Sequence, residues 1–358
     1  MSLTEARPAA DLRDTPVVTV DLDILEANIR RLQRYCDAHG IANRPHIKTH
    51  KIPEIARMQL VAGAVGITCQ KLGEVAVMLD AGIRDILLTY NVLGEAKLQR
   101  LRDLASRPGA RLAAAIDNLT VARALSSAFA HAGDPLRVLV ECDTGTGRTG
   151  VQTPAEAVEL ARAIADLPGL HFEGLMTYPI TDETGRFFEA ALAKLDRAGQ
   201  SARVVSTGGT PVYFRAHEVP GVTEHRAGTY VFNDRATVAA GAAGWDDCAM
   251  RIRTTVVSRP TPTRAIVDAG SKTLSSDLAG QTGHGRIVEY PDAVITRLNE
   301  EHGIIDLSAC RARPEVGEIV SVIPNHTCVV TNLHDHLVGV RQDRVEVVWP
   351  VAARGRVR

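Results

Sequence analysis

Eight short β-prone segments recur between about residues 45 and 232, and a helix-like stretch separates each one from the next. The stretches between them carry apolar residues at the three- and four-residue spacing of an amphipathic helix. Strand–helix alternation of this kind predicts a parallel sheet with helical crossovers. The segments are PHIK (45–48), GITC (66–69), ILLT (86–89), RLAAAID (111–117), RVLVECD (137–143), FEGLMT (172–177), VVSTGG (204–209) and HRAGTYVF (225–232).

The number of these units distinguishes between two α/β architectures. Eight strand–helix units are what a (β/α)8 barrel of the TIM type needs. A doubly wound sheet is the alternative, but about five or six units usually suffice for it. We therefore predict an α/β fold whose main domain is a (β/α)8 barrel.

The character of the sequence changes after about residue 245. Short β-rich runs divided by Gly, Pro and Asp follow, which predicts a C-terminal antiparallel β domain of roughly 110 residues. The early segment TPVVTVDLDIL is typical of a strand followed by a helix, and we expect its strand to join the β domain. The predicted boundaries are 1–20 for this N-terminal segment, 21–243 for the barrel and 244–358 for the β domain.

The composition excludes several classes of partner. The 358 residues hold 41 Lys+Arg against 42 Asp+Glu and only 4% aromatic residues, which argues against a nucleic-acid partner. No apolar run approaches the length of a membrane span, and the stretch before Val17 lacks the apolar core of a signal peptide. The six cysteines are scattered without a CxxC pair, so no disulfide framework is expected. We expect a reduced, cytoplasmic protein that acts on a small molecule.

The segment RPHIKTHK places a lysine at a position suited to chemistry. Lys48 ends the first predicted barrel strand, at the C-terminal mouth where barrel enzymes carry their active sites. Partial desolvation there would lower the pKa of the amine, so that its neutral form can attack an aldehyde. The alternative is that Lys48 and Lys51 are solvated loop lysines, and the spacing alone leaves both interpretations open.

Two glycine-rich turns supply further candidates. VLVECDTGTGRTG (138–150) runs from a strand into a turn that presents Arg148, a fixed cation for a phenolate or carboxylate. An ordinary turn with a surface arginine is the alternative. VVSTGGTP (204–211) offers backbone N–H groups and hydroxyls suited to a phosphate, and RAGTYVF (226–232) could complete that cradle. Late units of a (β/α)8 barrel are where such enzymes usually bind phosphate.

A barrel lysine, an arginine-bearing turn and a phosphate cradle are together what pyridoxal 5'-phosphate (PLP) requires. The motifs PHIKTHK, DTGTGRTG, STGGTP and RAGTYVFND resemble, in residues and in order, those of the fold-type III PLP enzymes. These enzymes pair an alanine racemase-like barrel with a C-terminal β domain. Three later segments resemble the D-threonine aldolase / D-serine dehydratase branch of that family: AIVDAGSKTLSSD (265–277), LNEEHG (298–303) and PNHTCVVTNLHD (324–335).

The resemblance implies roles for individual residues. Lys48 would be the Schiff-base lysine, Arg148 would face the ring hydroxyl of the cofactor, and Tyr178 and His302 would act in catalysis. It also implies a homodimer whose pocket is closed by the partner chain. The residues expected around the cofactor are Lys48, His46, Arg148, Tyr178, Ser206, Thr207, Gly208, Gly209, Gly228 and Tyr230.

His326 and Cys328 form a candidate metal site. On an extended strand, residues two apart leave the same face, and an imidazole beside a thiolate can chelate zinc. The alternative is a packed cysteine beside a hydrogen-bonded histidine. The resemblance favours the metal, because this branch holds a catalytic divalent ion at that location. Zinc is expected, with manganese or magnesium as alternatives, and two protein ligands leave positions open for water and substrate.

The implied activity is that of a lyase acting on D-3-hydroxy amino acids such as D-serine, D-threonine or 3-hydroxyaspartate. Dehydration is favoured because the pair reads His-x-Cys, as in D-serine dehydratase, whereas the aldolases tend to carry His-x-Asp. Pro179 also occupies the position where those aldolases carry a histidine. The sequence GLMTYP around it differs from the dehydratases as well. Retro-aldol cleavage to glycine and an aldehyde is the alternative.

Two more distant interpretations remain. A racemase needs a second acid/base, usually a tyrosine of the β domain, and no tyrosine follows Tyr290. A PLP-binding regulatory protein would leave His326 and Cys328 without a role.

Overall fold

The computed structural model describes residues 11–358, which divide into two compact units. The barrel unit comprises Arg30–Lys48, Ile55–Gly228 and Gly355–Arg358. The sheet unit comprises the described chain up to Ile29, together with Thr49–Glu54 and Thr229–Arg354. The described chain begins with strand β1 (Val17–Asp21) and helix α1 (Leu22–Ala38).

The barrel unit is built from eight parallel strands with helices between them. The strands are β2 (Ala42–Asn43), β3 (Ile67–Cys69), β4 (Asp85–Leu88), β5 (Arg111–Ile116), β6 (Leu136–Cys142), β7 (Leu170–Thr177), β8 (Val204–Gly208) and β9 (Glu224–Arg226). The helices are α2 (Pro53–Val61), α3 (Leu72–Asp80), α4 (Glu95–Ala105), α5 (Leu119–Phe129), α6 (Pro154–Asp166) and α7 (Thr184–Arg197). A 3-10 helix, Thr210–Glu218, lies between β8 and β9.

The strand order shows that the sheet closes on itself. The sequence of neighbours is β2-β9-β8-β7-β6-β5-β4-β3, and a parallel bridge between His46 and Thr68 joins the chain after β2 to β3. The prediction of an α/β fold with a (β/α)8 barrel is therefore confirmed.

The two faces of the barrel strands carry different side chains. Residues such as Ile86, Val138 and Leu175 pack with the helices in one large apolar cluster. The alternate residues face the interior, where only a small apolar cluster forms: Leu87, Ala113, Ala115, Leu139 and Met176. The rest of the interior is polar. Barrel interiors are usually filled by branched aliphatic side chains.

The sheet unit contains one nine-stranded sheet. Its remaining strands are β10 (Met250–Thr261), β11 (Arg264–Val267), β12 (Arg286–Ile287), β13 (Val294–Leu298), β14 (Gly303–Asp306), β15 (Ile319–Ile323), β16 (His336–Arg341) and β17 (Arg344–Pro350). Its short helices are α8 (Arg235–Ala239), α9 (Ser271–Leu274) and α10 (Thr327–Leu333). The order is β11-β14-β13-β12-β15-β10-β1-β16-β17, so β1 lies between β10 and β16. The pairing is antiparallel throughout except between β1 and β16, and the predicted antiparallel domain is confirmed.

Three predicted strand segments differ from the structure. PHIK is not a strand: β2 ends at Asn43, and Lys48 lies in a 3-10 turn, Ile47–Thr49. Pro45 explains this, because it has no N–H to donate to a ladder. HRAGTYVF is a strand only as far as Arg226, and a 3-10 helix, Thr229–Val231, follows Gly228.

The segment CVVTNLH (328–334) is one of the β-rich runs that follow residue 245 and is predicted as a strand, but the structure places it in the helix α10. Its β-branched residues favoured a strand, but a buried carboxylate caps the start of a helix here. Asp234 accepts hydrogen bonds from the backbone N–H of Thr327 at 3.0 Å and from its hydroxyl at 3.2 Å. Within residues 11–358, no helix combines the length and apolar character that crossing a bilayer requires.

Candidate active site

The turn that carries Lys48 is fixed by the neighbouring histidine. The backbone N–H of Lys48 donates to His46 Nδ1 at 3.3 Å, and His46 Nε2 lies 3.2 Å from Gln70 Oε1. His46 is buried, and its hydrogen bond to the Lys48 backbone stabilises the turn. Lys48 itself is half-buried, and its Nζ lies 5.3 Å from the centre of the Tyr178 ring. The neighbouring Lys51 is buried and donates to Asn332 at 3.0 Å, so it is not a solvated loop lysine.

Tyr178 brings a second cation to the barrel mouth. It follows β7, and the guanidinium carbon of Arg148 lies 5.0 Å from the centre of its ring. The hydroxyl of Thr146 donates to the Tyr178 carbonyl at 3.1 Å. The ring therefore contacts both cations, an arrangement that aromatic faces favour. Three predicted site residues, Lys48, Arg148 and Tyr178, are thus brought together in the barrel unit.

The turn that presents Arg148, which we call the arginine turn (residues 143–150), is held by carboxylates. Asp143 accepts hydrogen bonds from the backbone N–H groups of Gly145, Thr146 and Gly147 at 2.9, 2.7 and 2.8 Å. Asp117 accepts one from the N–H of Gly150 at 2.9 Å. Burial opposes ionisation of Asp143, but these N–H donors outweigh it and lower its pKa. The backbone of the turn is therefore held by hydrogen bonds that do not involve the arginine side chain.

In the predicted phosphate cradle, the hydroxyls of Ser206 and Thr207 contact other side chains of the barrel unit. Ser206 donates to Glu224 at 2.7 Å, and the Thr207 hydroxyl lies 2.9 Å from His225 Nδ1. Both are fully buried, so these hydroxyls are engaged inside the barrel. Burial, followed by the charge of Arg226, lowers the pKa of His225 to about 3. His225, which contacts Thr207, therefore stays neutral at physiological pH. The sequence alone does not indicate this buried neutral histidine.

The glycines of the cradle leave room for a ligand. Gly209 has a φ of 113° and enters the 3-10 helix Thr210–Glu218, whose first N–H groups have no partner within the helix. A Cβ added at Gly208 would lie 3.2 Å from the Tyr178 ring, so a side chain would crowd the mouth. Gly228 is the last residue of the long central segment of the barrel unit, and Tyr230 is buried in the 3-10 helix that follows in the sheet unit.

His326 and Cys328 are brought together at the start of α10. The premise of an extended strand is wrong: His326 is the residue before the helix, and Cys328 lies in its first turn. The interaction with the Cys328 side chain, more than any other, nevertheless raises the pKa of His326 to about 9. We call His326 and Cys328 the metal pair.

Three further side chains surround the metal pair. Asp277 Oδ2 lies 2.7 Å from His326 Nδ1, the contact that orients an imidazole in many zinc sites. The hydroxyls of Thr49 and Thr229 lie 3.2 and 3.7 Å from Cys328 Sγ. Across residues 11–358 no group of three or more His, Cys, Asp or Glu side chains is arranged to hold a metal ion. Sequence reasoning missed Asp277, although it ends the segment AIVDAGSKTLSSD.

His302 is the remaining residue predicted to act in catalysis. It occupies the exposed turn between β13 and β14, where its carbonyl accepts a hydrogen bond from the N–H of Asn299 at 2.8 Å. The catalytic role of His302 stays a prediction.

Comparisons with known proteins identify the family. Residues 20–236 match the alanine racemase N-terminal domain, and residues 249–340 match the putative serine dehydratase domain. The chain is 37% identical to a D-threonine aldolase of an Arthrobacter species, over 96% of this chain and 93% of that protein. It is 33% identical to a D-threo-3-hydroxyaspartate dehydratase of a Delftia species, over 88% of this chain and 91% of that protein.

A solved structure agrees with these matches. The crystal structure of D-threonine aldolase from Filomicrobium marinum superimposes with a TM-score of 0.89 at 34% identity, covering 99% of this chain and 100% of that one. The fold and the full-length similarity both point to one group of enzymes. The chain belongs to the fold-type III, alanine racemase-like family of PLP enzymes, in the branch that contains D-threonine aldolase and D-serine dehydratase.

Proposed function

We propose that this protein is a PLP- and divalent-metal-dependent lyase of D-3-hydroxy amino acids that dehydrates its substrate. The class of reaction follows from the family, whose members here are aldolases and dehydratases of such compounds. The observation that carries the choice of dehydration is the metal pair, a histidine and a cysteine two residues apart at the start of α10.

The barrel mouth fits PLP. Lys48 is the half-buried amine, Arg148 is a cation held over an aromatic ring, and Gly208 and Gly209 leave space that a Cβ would fill. When bound, the cofactor draws electron density from the bonds at the Cα atom of an amino acid. The hydroxyls of Ser206 and Thr207 are engaged elsewhere, so backbone N–H groups near the glycines would hold the phosphate.

The metal pair fits a borderline-soft divalent ion, and its donor set favours zinc. An imidazole nitrogen and a thiolate are common zinc ligands, whereas magnesium and manganese prefer oxygen. Asp277 engages Nδ1 of His326, which leaves Nε2 for a metal. When bound, such an ion polarises a hydroxyl oxygen and assists its departure.

Lys48 performs the proton transfer in this proposal. Its amine takes the proton from Cα, and the bond between Cβ and the hydroxyl oxygen breaks, so that the substrate loses water overall. The enamine released then takes up water and gives a 2-oxo acid and ammonia. His46 holds the turn that carries Lys48 through a bond to its backbone N–H, which keeps the amine at the barrel mouth.

A solved relative supports dehydration. Solved structures of D-threo-3-hydroxyaspartate dehydratase include a histidine-to-alanine variant and a cysteine-to-alanine variant, the latter in a metal-free form. The two substituted positions in that enzyme are two residues apart. His326 and Cys328 have the same residue types and the same spacing.

Retro-aldol cleavage is the second candidate, favoured by overall similarity. The chain is 37% identical to the Arthrobacter D-threonine aldolase and 35% identical to a 3-hydroxy-D-aspartate aldolase of Paracoccus denitrificans. This reaction breaks the Cα–Cβ bond and needs a base for the hydroxyl proton. The residue after Tyr178 is Pro179, which cannot act as that base.

D-Threonine distinguishes the two reactions in one assay. A dehydratase converts it to 2-oxobutyrate and ammonia, whereas an aldolase converts it to glycine and acetaldehyde. We expect 2-oxobutyrate, and we expect no product from L-threonine. Stoichiometric glycine would contradict dehydration and leave the family assignment intact, and turnover of L-threonine alone would contradict both reactions.

A further inference from the structure

A buried carboxylate lies beneath the arginine of the barrel mouth. Glu141, on β6, is 6% exposed, and its Oε1 accepts a hydrogen bond from the hydroxyl of Thr149 at 3.0 Å. The same oxygen lies 3.7 Å from Nη2 of Arg148. Burying a carboxylate costs free energy unless nearby partners offset the lost hydration. The burial of Glu141 beside Arg148 therefore indicates that its charge has a role there.

Glu141 also belongs to a series of charged residues in the barrel unit. Arg44 pairs with Asp85 at 2.6 Å and with Glu224 at 2.5 Å. Glu224 accepts from Ser206, which in turn accepts a hydrogen bond from the buried Arg226. In order from one end to the other, the signs alternate: Asp85, Arg44, Glu224, Arg226, Glu141 and Arg148.

The charge of Glu141 interacts with the charges of both neighbours in this series, although of these two arginines only Arg148 has a side-chain contact with it. Burial raises the pKa of Glu141, while the hydrogen bond from Thr149 and the charges of Arg148 and Arg226 oppose that rise. Arg226 is itself anchored, since its guanidinium donates to the Thr177 carbonyl at 2.9 Å. Glu141 therefore stands between a fixed interior arginine and an arginine at the mouth.

A charged partner such as Glu141 can order the Arg148 side chain, whereas the backbone of the arginine turn does not depend on it. The backbone of the arginine turn is already held by Asp143 and Asp117. The Arg148 side chain, in contrast, is 52% exposed, and besides Glu141 it contacts the Tyr178 ring. A long side chain in that position has many rotamers, and ordering it costs conformational entropy.

We propose that Glu141 is a positioning residue that holds the Arg148 guanidinium at the barrel mouth, ready for an anionic group of the bound cofactor. This inference rests on the proposed function, because PLP is the ligand that Arg148 would meet. A cation already held in place binds an anion at lower entropic cost than one that must first be ordered. Glu141 would thus act on cofactor affinity through Arg148 and not through direct contact.

The test is a titration of the cofactor-stripped full-length protein with PLP, followed by visible absorbance. Glu141→Gln keeps the size of the side chain and an acceptor for Thr149 but removes the charge. We expect it to raise the apparent dissociation constant for PLP about fivefold. Thr149→Val, which leaves the charge pair in place, should change it less than about twofold.

Glu173→Gln is the matched control. Glu173 is a second buried carboxylate of the barrel, 3% exposed, and it pairs with Arg203 instead of a mouth residue. We expect this variant to bind PLP as the wild type does. An equal loss of affinity in Glu173→Gln would overturn the proposal, because it would show a general response of the barrel to a lost charge.

A double-mutant cycle with Arg148→Ala gives the decisive measurement. If Glu141 acts through Arg148, Glu141→Gln should have no further effect on PLP affinity once Arg148 is alanine. An undiminished fivefold loss in that background, or unchanged affinity of Glu141→Gln alone, would overturn the proposal. If Glu141→Gln does not fold, Glu141→Asp replaces it, because aspartate withdraws the carboxylate by one methylene. Unchanged PLP affinity of Glu141→Asp, or an undiminished loss in the Arg148→Ala background, would then overturn the proposal. A wild-type protein that binds no PLP would instead refute the proposed function.

Discussion

The arginine turn and the metal pair both hold polar side chains in place, but they do so at different ranges along the chain. The arginine turn is fixed by Asp143, which accepts from N–H groups two to four residues away. The metal pair is fixed by Asp277, 49 residues from His326, and by Thr49, 279 residues from Cys328. The geometry of the turn is therefore local, whereas that of the metal pair depends on correct long-range packing.

The largest expected effect tests whether the barrel mouth works through one amine. Lys48→Ala should remove the visible absorbance of bound cofactor and lower turnover about a thousandfold or more, since Lys48 is the amine at the Tyr178 ring. Lys51→Ala is the control and should retain the absorbance, because Lys51 is engaged with Asn332. Loss of the band in Lys51→Ala, with retention in Lys48→Ala, would reverse this assignment.

The next effect separates the two sites. Treatment with a chelator should abolish turnover of D-threonine while the visible absorbance of the cofactor remains, because the metal pair would serve the substrate hydroxyl. His326→Ala and Cys328→Ala should each reproduce this result, with turnover at least about a hundredfold lower. Full activity in both variants with metal absent would refute the metal site.

A smaller effect addresses the long-range support of the metal pair. Asp277→Asn should weaken zinc binding by about tenfold or more, because it loses the charge that orients the His326 ring. Competition with a chromophoric chelator measures the affinity directly. Thr229→Val is a control with a longer contact, 3.7 Å to Cys328 Sγ, and should lose less affinity than Asp277→Asn. Equal losses would mean that general packing, and not the carboxylate, supports the pair.

The smallest effect concerns the local support of the arginine turn. The pKa of Asp143 is lowered below its ordinary value of 3.8, so the stability that its charge contributes is present above that value and lost as the pH falls through the lowered pKa. Asp143→Asn should therefore lower the melting temperature by about 2–4 °C at neutral pH, and the difference should shrink in acid. A difference that stays constant with pH would show that the charge is not responsible.

The same contrast explains what could be predicted from sequence. The glycine-rich turn with Arg148 and the lysine of PHIKTHK are local patterns, and the structure brings both to the Tyr178 ring. Asp277 carries no local signal, because its role depends on a histidine 49 residues away. The helix α10 was mistaken for a strand because its cap, Asp234, is 93 residues from Thr327.

Buried charges in the barrel were equally hidden from sequence reasoning. Glu141 lies in the run RVLVECD, where alternation on a strand gives no reason to expect a partner for it. Its interaction with Arg148 requires the arginine turn to fold back over the strand end, and its interaction with Arg226 requires closure of the barrel. A single sequence contains neither piece of information.

The central position of β1 in the nine-stranded sheet has a consequence for how the chain acquires its structure during synthesis. Thr19 pairs with Arg251 on one side and with Val338 on the other, so β1 can complete its pairing only after strands more than two hundred residues later have been made. The barrel strands β3 to β8, in contrast, each pair with their immediate successor along the chain. Contacts between distant residues form slowly because a long loop must first be closed. We therefore expect β3 to β9 to pair in order during synthesis, and the nine-stranded sheet to be completed later than these barrel strands.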